Sequence, residues 1–410
     1  MTPFHQLVII YANGTKEFHS PAVACGGLTP PQSTVILICM NTDVYSNWLE
    51  IDLSAIQNNI KAFTALTGKP VLAIVKANGY GHGMTKSALA AQAAGAFGMG
   101  VARVEEALAL RKAGITSRIL VLGYTSPARI AEAAANNISL TVYDHEIALA
   151  YAEEAQKAGF QIKVHVKFDT GMGRLGLFPE GNLEFIKWMH DLPAIELEGI
   201  FTHFARADEL DRSSVERQFA RFEKLVHQIE GLGMRPPYIH TSNSAASIAH
   251  PKVHYDFLRP GNAIYGLNPS PEVTLPENFK RALTWKARII SIKTFPPGHG
   301  ISYGHRYRTT KEERIGVIPV GYGDGYRREP DNTVLVHGKR VPVVGSVCMD
   351  QCMIQLDDIP EAQIGDEVVL IGQQNGARIT VDELAEKWGT INYEVVCGLA
   401  DRLPRVYFNG

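Results

Sequence analysis

The chain has 410 residues, of which 45% are hydrophobic and 20% charged, and its formal net charge at pH 7 is −2. This length exceeds what one ordinary hydrophobic core serves, so we expect two domains. The charge balance gives no reason to expect nucleic acid as a partner, and no apolar stretch is long enough to span a membrane.

The first 46 residues are rich in glycine, proline, serine and threonine, with two short apolar runs. No basic segment precedes an apolar one, so a signal peptide is not expected. Periodic structure begins only near Trp48. We therefore expect residues 1–46 to be a poorly ordered extension. We also hypothesise that Met40 is the true start and that residues 1–39 come from an upstream start codon.

From residue 47 to about residue 280, helical and strand-like patterns alternate. A first helix is predicted over residues 54–68, with Ser54 as its cap and Gly68 at its end. The strand-like runs are residues 71–76, 96–102, 118–123, 139–143, 162–168, 196–204, 238–241 and 262–266. Eight such units in roughly 200 residues predict a (β/α)8 barrel over residues 47–280, with a doubly wound sheet as the alternative.

The texture of the sequence changes at about residue 282, where helical periodicity becomes scarce. Short β-branched runs separated by glycine and proline turns predict a mainly antiparallel β domain over residues 281–410. One helix is expected there, over residues 381–387. The predicted strands are residues 287–294, 315–320, 333–336, 341–347 and 367–371.

The five cysteines are odd in number and include no CxxC pair. That pattern favours reduced thiols in a cytoplasmic protein over a disulfide framework. No set of histidine, cysteine and carboxylate side chains occurs at metal-ligand spacing, so we expect no metal site.

The first predicted barrel strand ends in Lys76, which opens residues 75–83 (VKANGYGHG). A lysine at the end of a buried strand is costly unless it is used. A desolvated amine loses its proton more easily and can form a Schiff base. The glycines that follow let the backbone approach a ligand closely. On its own, a lysine that follows a strand is more often a solvated loop residue.

Polar residues also follow later predicted strands, and in a barrel such positions share one rim. They are Lys167 with residues 169–174, His203, residues 240–244 and residues 258–261. Ser244 and Gly261 suit a phosphate held by backbone N–H groups and a hydroxyl. A lysine and a phosphate cradle on one rim point to pyridoxal 5′-phosphate. Each residue alone is more often structural, so the interpretation depends on their convergence.

In the β domain, Tyr303 lies between a glycine-rich turn and Gly304, a poor place for a packing residue. An unperturbed phenol has a pKa of about 10. A nearby guanidinium would lower that pKa and make a general base plausible.

Six motifs in this order resemble the alanine racemase family of fold-type III pyridoxal phosphate enzymes over about residues 47–410. They are residues 75–83 (VKANGYGHG), 169–176 (DTGMGRLG), 243–246 (NSAA), 302–304 (SYG), 321–325 (GYGDG) and 345–350 (GSVCMD). The resemblance implies interconversion of L-alanine and D-alanine, the D-alanine serving bacterial cell-wall peptidoglycan. It also implies a cytoplasmic homodimer with shared active sites.

The resemblance further implies two catalytic bases. Lys76 would hold the cofactor covalently and act on the D-enantiomer, whereas Tyr303 of the other subunit would act on the L-enantiomer. Arg174 and the backbone of Met349, the latter also from the other subunit, would bind the substrate carboxylate.

The cofactor-binding residues that the resemblance implies are Lys76, Tyr80, His203, Ser244, Arg259, Gly261 and Tyr393. Arg259 would face the pyridine nitrogen. Lys167 matches a position that is carbamylated in many family members, with an ordinary ion-paired lysine as the alternative.

Three positions depart from the family pattern: Gly79 and Gly323 stand where alanine is usual, and Asn262 stands where isoleucine is usual. None is an expected base. Competing interpretations are a racemase of broader specificity acting on serine or lysine, a decarboxylase of the same two-domain plan, and a non-catalytic pyridoxal phosphate-binding protein. Tyr393 and Tyr322 would narrow the entrance, which favours alanine.

Overall fold

A computed structural model describes residues 42–410 of the chain. The extension expected over residues 1–46, with its proposed start at Met40, lies outside the described residues except for its last five. Residues Ser46–Gly410 form one compact unit.

The N-terminal half of this unit alternates strands and helices. In chain order they are β1 (Asn47–Asp52), α1 (Leu53–Thr67), β2 (Leu72–Ile74), α2 (Lys76–Tyr80), α3 (Met84–Ala93), β3 (Gly98–Val101), α4 (Val104–Lys112), β4 (Arg118–Val121), α5 (Ile130–Ala135), β5 (Ser139–Val142), α6 (His145–Lys157), β6 (Ile162–Lys167), α7 (Leu183–Asp191), β7 (Ile195–Phe201), α8 (Ser213–Gly231), β8 (Tyr238–His240) and α9 (Ser244–Ala249).

Strands β2 to β8 pair in parallel and in chain order, which makes the wall of a barrel. All four residues of β3 and of β5 are buried. Parallel strands covered by helices on one face and by core side chains on the other are apolar throughout, which explains their continuous apolar runs. The barrel prediction is confirmed, and seven of the predicted runs overlap these strands.

The predicted eighth strand over residues 262–266 is wrong. Asn262–Tyr265 forms a buried 3₁₀ turn that ends at Gly266, whose φ is 77°. A short apolar run does not by itself distinguish a strand from a buried turn.

The segment over residues 258–260 closes the barrel instead. The carbonyl of Leu258 accepts a hydrogen bond from the Leu72 amide at 2.8 Å on one side of the gap. On the other side, the Arg259 amide donates to the Ser242 carbonyl at 2.9 Å. Arg259 therefore lies in the closing segment itself.

The first helix begins one residue earlier than expected, and Ser54 is not its cap. Asp52 ends β1 in an extended conformation, and its carboxylate accepts from the amides of Ser54 at 2.9 Å and Ala55 at 3.3 Å. Gly68 ends the helix as predicted, with φ of 68°.

The C-terminal half is mainly antiparallel, as predicted. Its elements are β9 (Leu283–Arg288), β10 (Ser291–Phe295), β11 (Gly300–Ile301), β12 (Tyr307–Arg308), β13 (Glu313–Ile318), β14 (Thr333–Val336), β15 (Lys339–Val344), β16 (Cys352–Gln355), β17 (Glu367–Gln374), β18 (Ala377–Ile379), α10 (Val381–Lys387), α11 (Asn392–Cys397) and β19 (Arg405–Phe408).

Strand β1 lies in this second sheet, not in the barrel. It pairs antiparallel with β9 and parallel with β19. From residue 47 onward the chain therefore runs from the β domain through the barrel and back, which ties the two halves together.

The helix α10 has the bounds predicted for it, but α11 was not predicted. Its sequence, NYEVVC, contains β-branched residues that favour strands. Packing of α11 against α2 and α10 overrides that preference. This helix matters because it brings Tyr393 to the barrel rim.

Across residues 42–410, no helix combines the length and the apolar character needed to cross a bilayer.

Candidate active site

A cavity of about 550 Å³ opens at the rim formed by the carboxyl ends of the barrel strands. Nine of the predicted site residues line it. They are Lys76, Tyr80, Lys167, Arg174, His203, Ser244, Arg259, Gly261 and Tyr393. The convergence inferred from the strand ends is therefore present in the fold.

Lys76 opens α2, which is a left-handed turn and not a regular helix. Ala77 and Asn78 have φ of 52° and 53°, a conformation that costs an L-residue roughly 1–2 kcal/mol. Two carboxylates hold the turn: Glu106 accepts from the Ala77 amide at 2.7 Å, and Asp401 accepts from the Asn78 side chain at 2.9 Å. The strained turn is thus fixed from both halves of the fold, and Lys76 with it.

The pKa of Lys76 is lowered, first by burial and then by the positive charge of Arg174. Glu106 and Cys397 act in the opposite direction but do not outweigh these two. A lowered pKa raises the fraction of neutral amine, which is the form that attacks a carbonyl carbon or takes up a proton.

A concave surface suited to a phosphate lies beside this turn. At Gly261, a Cβ atom would come within 2.3 Å of the Tyr80 hydroxyl, so only glycine leaves the space open. The Gly261 amide donates to the Ser244 hydroxyl at 2.9 Å. Burial raises the pKa of both Tyr80 and Tyr393, so each phenol remains an O–H donor.

Arg259 is 4% exposed and donates to the Nδ1 atom of His240 at 2.7 Å. It also donates to the carbonyls of Thr202 at 2.7 Å and Thr241 at 2.9 Å. Burial lowers its pKa to about 9, so the guanidinium stays charged at neutral pH. Among the salt bridges of the described residues, none gives Arg259 a carboxylate partner.

Lys167 and His203 lie on the same wall. Burial, together with the charges of Arg259 and Arg174, lowers the pKa of Lys167 to about 7. Burial, and then Arg259, hold the pKa of His203 well below its usual value, so its imidazole is neutral.

The loop that carries Arg174 is shaped by Asp169. The Asp169 carboxylate accepts from the amides of Gly171 and Met172, both at 2.8 Å, and from the Arg174 amide at 3.1 Å. Burial alone would raise the pKa of Asp169, but these amides lower it and keep the carboxylate ionised. The motif DTGMGR is therefore a folded loop that presents Arg174 to the cavity.

Lysine and arginine side chains dominate the charge of the cavity: Lys76, Lys167, Arg174 and Arg259. Such a cluster attracts an anion. A phosphate cradle, an amine with a lowered pKa and an arginine without a carboxylate partner fit pyridoxal 5′-phosphate. Over residues 42–410, no group of three or more histidine, cysteine, aspartate and glutamate side chains could hold a metal ion.

Tyr303 and Met349 do not line this cavity. Their side chains are exposed, at 71% and 54%, on the β domain. The Ser302 hydroxyl donates to the Ser346 carbonyl at 2.6 Å, which ties the loop of Tyr303 to the loop of Met349. The two residues therefore lie on one surface of the β domain, and this surface is separate from the barrel rim of their own chain.

Sequence reasoning missed Glu106, Asp401 and Cys397. Glu106 stands in the first turn of α4, where an acidic residue is common, so its sequence position did not indicate a role in the site. Asp401 and Cys397 reach the site only because the C-terminal segment folds back onto the barrel.

A barrel with this lysine, this anion-binding cavity and a second β domain defines a pyridoxal 5′-phosphate enzyme of the barrel type. Family models of the alanine racemase N-terminal domain and C-terminal domain match residues 51–269 and 282–407. The chain belongs to the alanine racemase family, whose members are isomerases that depend on pyridoxal 5′-phosphate. The resemblance, the enzyme class and the cofactor inferred from the sequence are confirmed.

The sequences of known alanine racemases align with this chain over nearly their whole length. An alanine racemase of Symbiobacterium thermophilum is 44% identical over 363 residues, which cover 88% of this chain and 96% of the relative. An alanine racemase of Methanococcus maripaludis is 45% identical over a region that covers 88% of this chain and 98% of the relative.

Solved structures of alanine racemases have the same fold as this chain. An alanine racemase of Clostridium difficile superposes with a TM-score of 0.84 at 36% identity, covering 88% of this chain and 96% of that one. The alanine racemase of Bacillus anthracis with bound L-Ala-P superposes with a TM-score of 0.83 at 40% identity, covering 89% and 96%.

Proposed function

We propose that this chain interconverts L-alanine and D-alanine by a two-base mechanism and so supplies D-alanine for cell-wall peptidoglycan. The observation that carries the proposal is the cationic cavity around Lys76, whose amine has a lowered pKa and is held by a strained turn. Pyridoxal 5′-phosphate, when bound, supplies an electron sink that acidifies the Cα proton of the amino acid.

Lys76 is assigned as the covalent anchor of the cofactor and as the base for the D-enantiomer. Tyr303 is assigned as the base for the L-enantiomer. Racemisation removes a proton from one face of Cα and returns one to the other. Two bases at fixed positions do this without turning the substrate: the unprotonated one takes the Cα proton, and the other, already protonated, returns a proton on the opposite face.

Arg174 and Met349 are assigned to the substrate carboxylate. Arg174 can present two parallel N–H donors to a carboxylate. The Met349 carbonyl already accepts from the Gly323 amide at 2.9 Å, so the Met349 amide N–H is the group assigned to the substrate.

The cofactor is assigned to the remaining cavity residues. Tyr80, Ser244, Gly261 and Tyr393 would hold the phosphate, and His203 would pack near the ring. Arg259 would face the pyridine nitrogen. An arginine offers donors and no acceptor, so it does not keep a ring nitrogen protonated as a carboxylate would. This limits side reactions such as transamination.

We propose a homodimer with shared sites, because Tyr303 and Met349 are exposed on the β domain while the other assigned residues line the barrel cavity. A C₂ dimer that seats this surface over the partner's rim would complete two sites at once. The division into a barrel domain over residues 47–280 and a β domain over residues 281–410 remains a prediction, and β1 is the part of the first range that joins the β sheet. A cytoplasmic location, which the free thiols of Cys348, Cys352 and Cys397 support, also remains a prediction.

A racemase of broader specificity, acting on serine or lysine, is the rival assignment. Tyr393 lies within the cavity wall and favours a small side chain. The match to the C-terminal domain of the family speaks against a non-catalytic carrier, which resembles the barrel alone.

The function is tested by incubating the purified enzyme with L-alanine, L-serine or L-lysine in deuterated water and following Cα exchange and the enantiomer ratio. We expect interconversion with alanine far above that with the other two. The control is Lys76→Ala, which lacks the proposed anchor. Alanine interconversion no faster than in this variant would refute the proposal, and faster turnover of serine or lysine would favour the rival.

The two-base division makes a separate prediction. Tyr303→Phe removes the proposed base for the L-enantiomer, so abstraction from L-alanine should fall by about a hundredfold or more. Abstraction from D-alanine, assigned to Lys76, should fall much less. The measurement is solvent deuterium incorporation from each pure enantiomer at short times, and equal losses would contradict the division.

A further inference from the structure

A continuous chain of buried hydrogen bonds crosses the barrel core below the cavity. From the Arg259 guanidinium it passes to His240 Nδ1 at 2.7 Å, and from His240 Nε2 to His165 Nδ1 at 2.9 Å. His165 Nε2 then meets the Glu198 carboxylate at 3.1 Å, which also accepts from the Ser139 hydroxyl at 2.5 Å. All five side chains are buried.

The donors and acceptors of this chain have one consistent direction. A guanidinium only donates, so His240 Nδ1 must accept and His240 must carry its proton on Nε2. That proton is donated to His165 Nδ1, which leaves the His165 proton on Nε2, facing Glu198. A carboxylate only accepts, so both ends of the chain demand the same pair of tautomers.

The His240 ring cannot exchange its two nitrogens by turning over. It is stacked between Phe201 at a centroid distance of 4.7 Å and Phe257 at 4.4 Å. Burial, and then the charge of Arg259, hold the pKa of His240 well below its usual value, so it does not become a double donor. Its tautomer is thus decided by its neighbours.

Glu198 stands at the far end of the chain, at the opposite mouth of the barrel. It lines a cavity of about 360 Å³ with Ser139, Lys163 and Arg118. Burial would raise the pKa of Glu198, but hydrogen bonds from His165 and Ser139 and the charge of Lys163 lower it. The carboxylate is therefore ionised and accepts at neutral pH.

We propose that Glu198 is a positioning residue for Arg259: by accepting from His165, it fixes the tautomers of His165 and His240 and so turns a lone pair of His240 towards the guanidinium. Without an acceptor at Glu198, only Arg259 still favours this direction, so the row of hydrogen bonds can invert more readily. His240 would then point an N–H group at Arg259, donor against donor, and the guanidinium would shift. The consequence for catalysis rests on the proposed function, in which Arg259 faces the cofactor ring.

The direct test is neutron diffraction of the holoenzyme in deuterated solvent. We expect deuterium on Nε2 of both His165 and His240 and none on either Nδ1. Deuterium on His240 Nδ1 would overturn the proposal whatever reaction the enzyme catalyses, and it needs no variant to fold.

Two substitutions of similar size give the functional test. Glu198→Leu removes the acceptor, and we expect kcat/KM to fall by about tenfold or more, through kcat, with a shifted absorption band of the bound cofactor. Glu198→Gln keeps an oxygen acceptor, so it should stay within about threefold of the parent enzyme and keep its spectrum. Ser139→Ala, which leaves the bond from His165 intact, is the control and should behave as the parent.

Melting temperatures show whether Glu198→Leu is folded. A folded Glu198→Leu enzyme with the parent spectrum and kinetics would overturn the proposal. So would a loss in Glu198→Gln as large as that in Glu198→Leu, because orientation would then not be what Glu198 contributes.

Discussion

At the scale of single residues, the site is governed by amines that the fold has moved out of water. The pKa of Lys76 and the pKa of Lys167 are both lowered, in each case chiefly by burial and secondly by neighbouring guanidinium groups. A neutral amine is also the form that reacts with carbon dioxide, so the carbamylation that many family members have at the position of Lys167 is chemically open to this chain.

The lowered pKa of Lys167 should make the stability of the folded chain depend on pH. Its pKa is about 7 in the folded chain and 10.5 when unperturbed, so between these values the unfolded chain binds the extra proton. The free energy of unfolding should therefore rise as the pH increases from about 7 to about 10. In Lys167→Met, this part of the rise should be absent. The measurement is chemical denaturation of the holoenzyme at several pH values.

Lys187→Met, on the outer helix α7, is the matched control and should keep the pH dependence of the parent enzyme. A carbamylated Lys167 would carry a negative charge and would not show this titration. Identical pH profiles for the parent enzyme and Lys167→Met would therefore mean that Lys167 is not a free amine, which a mass measurement of the intact chain can check.

At the scale of elements, the decisive contact joins the turn after β2 to helix α11. Gly81 ends α2 with φ of 79°, and a Cβ atom there would come within 1.9 Å of the Val396 carbonyl in α11. Helix α11 carries Tyr393 and Cys397 into the cavity wall. The glycines of the motif GYGHG therefore let α2 and α11 pack closely, as well as letting the backbone approach a ligand.

Gly81→Ala should displace α11 and weaken cofactor binding as well as stability. Gly95→Ala is a matched control, because Gly95 has φ of 84° but open space around its Cβ position. We expect Gly95→Ala to lose about 1–2 kcal/mol of unfolding free energy from backbone strain alone. Gly81→Ala should lose more and should also release pyridoxal phosphate on dialysis, as followed by its absorption. Equal effects of both substitutions would contradict this account.

At the scale of the whole molecule, the residues assigned to the active site lie on two separate surfaces of one chain. The barrel rim holds Lys76 and the cationic cavity, whereas Tyr303 and Met349 lie exposed on the β domain. Strand β1 ties the two halves of the chain into one unit, which would hold Tyr303 in a fixed place in the proposed dimer.

Shared sites predict complementation between two inactive variants. In a mixed dimer of Lys76→Ala and Tyr303→Phe chains, one site carries both defects and the other carries neither. Random reassociation should therefore restore about a quarter of the sites, judged by racemisation of L-alanine. The control is a mixture of Lys76→Ala with a Lys76→Ala, Tyr303→Phe double variant, which should stay inactive. Absence of recovery in mixed dimers of the first pair would contradict the shared site.

Much of this protein follows from local sequence patterns. Alternating apolar runs and glycine stops located the barrel strands, because strand and helix periodicities are local properties. A barrel brings residues from its strand ends to one rim, which is why Lys76, Lys167, Ser244 and Arg259 could be grouped from the sequence alone. The motifs sufficed to recognise the family.

Other features depend on contacts between residues far apart in the chain, and no local pattern predicts those. The segment at residues 258–260 is no regular strand and closes the barrel only through its hydrogen bonds to both edges of the sheet. Helix α11 forms against its strand-like composition because it packs on α2 and α10. The clamp on the Lys76 turn by Glu106 and Asp401 is a third such case. The sequence determined which chemical groups the site contains, and tertiary structure decided their protonation and orientation, since both depend on burial and on distant neighbours.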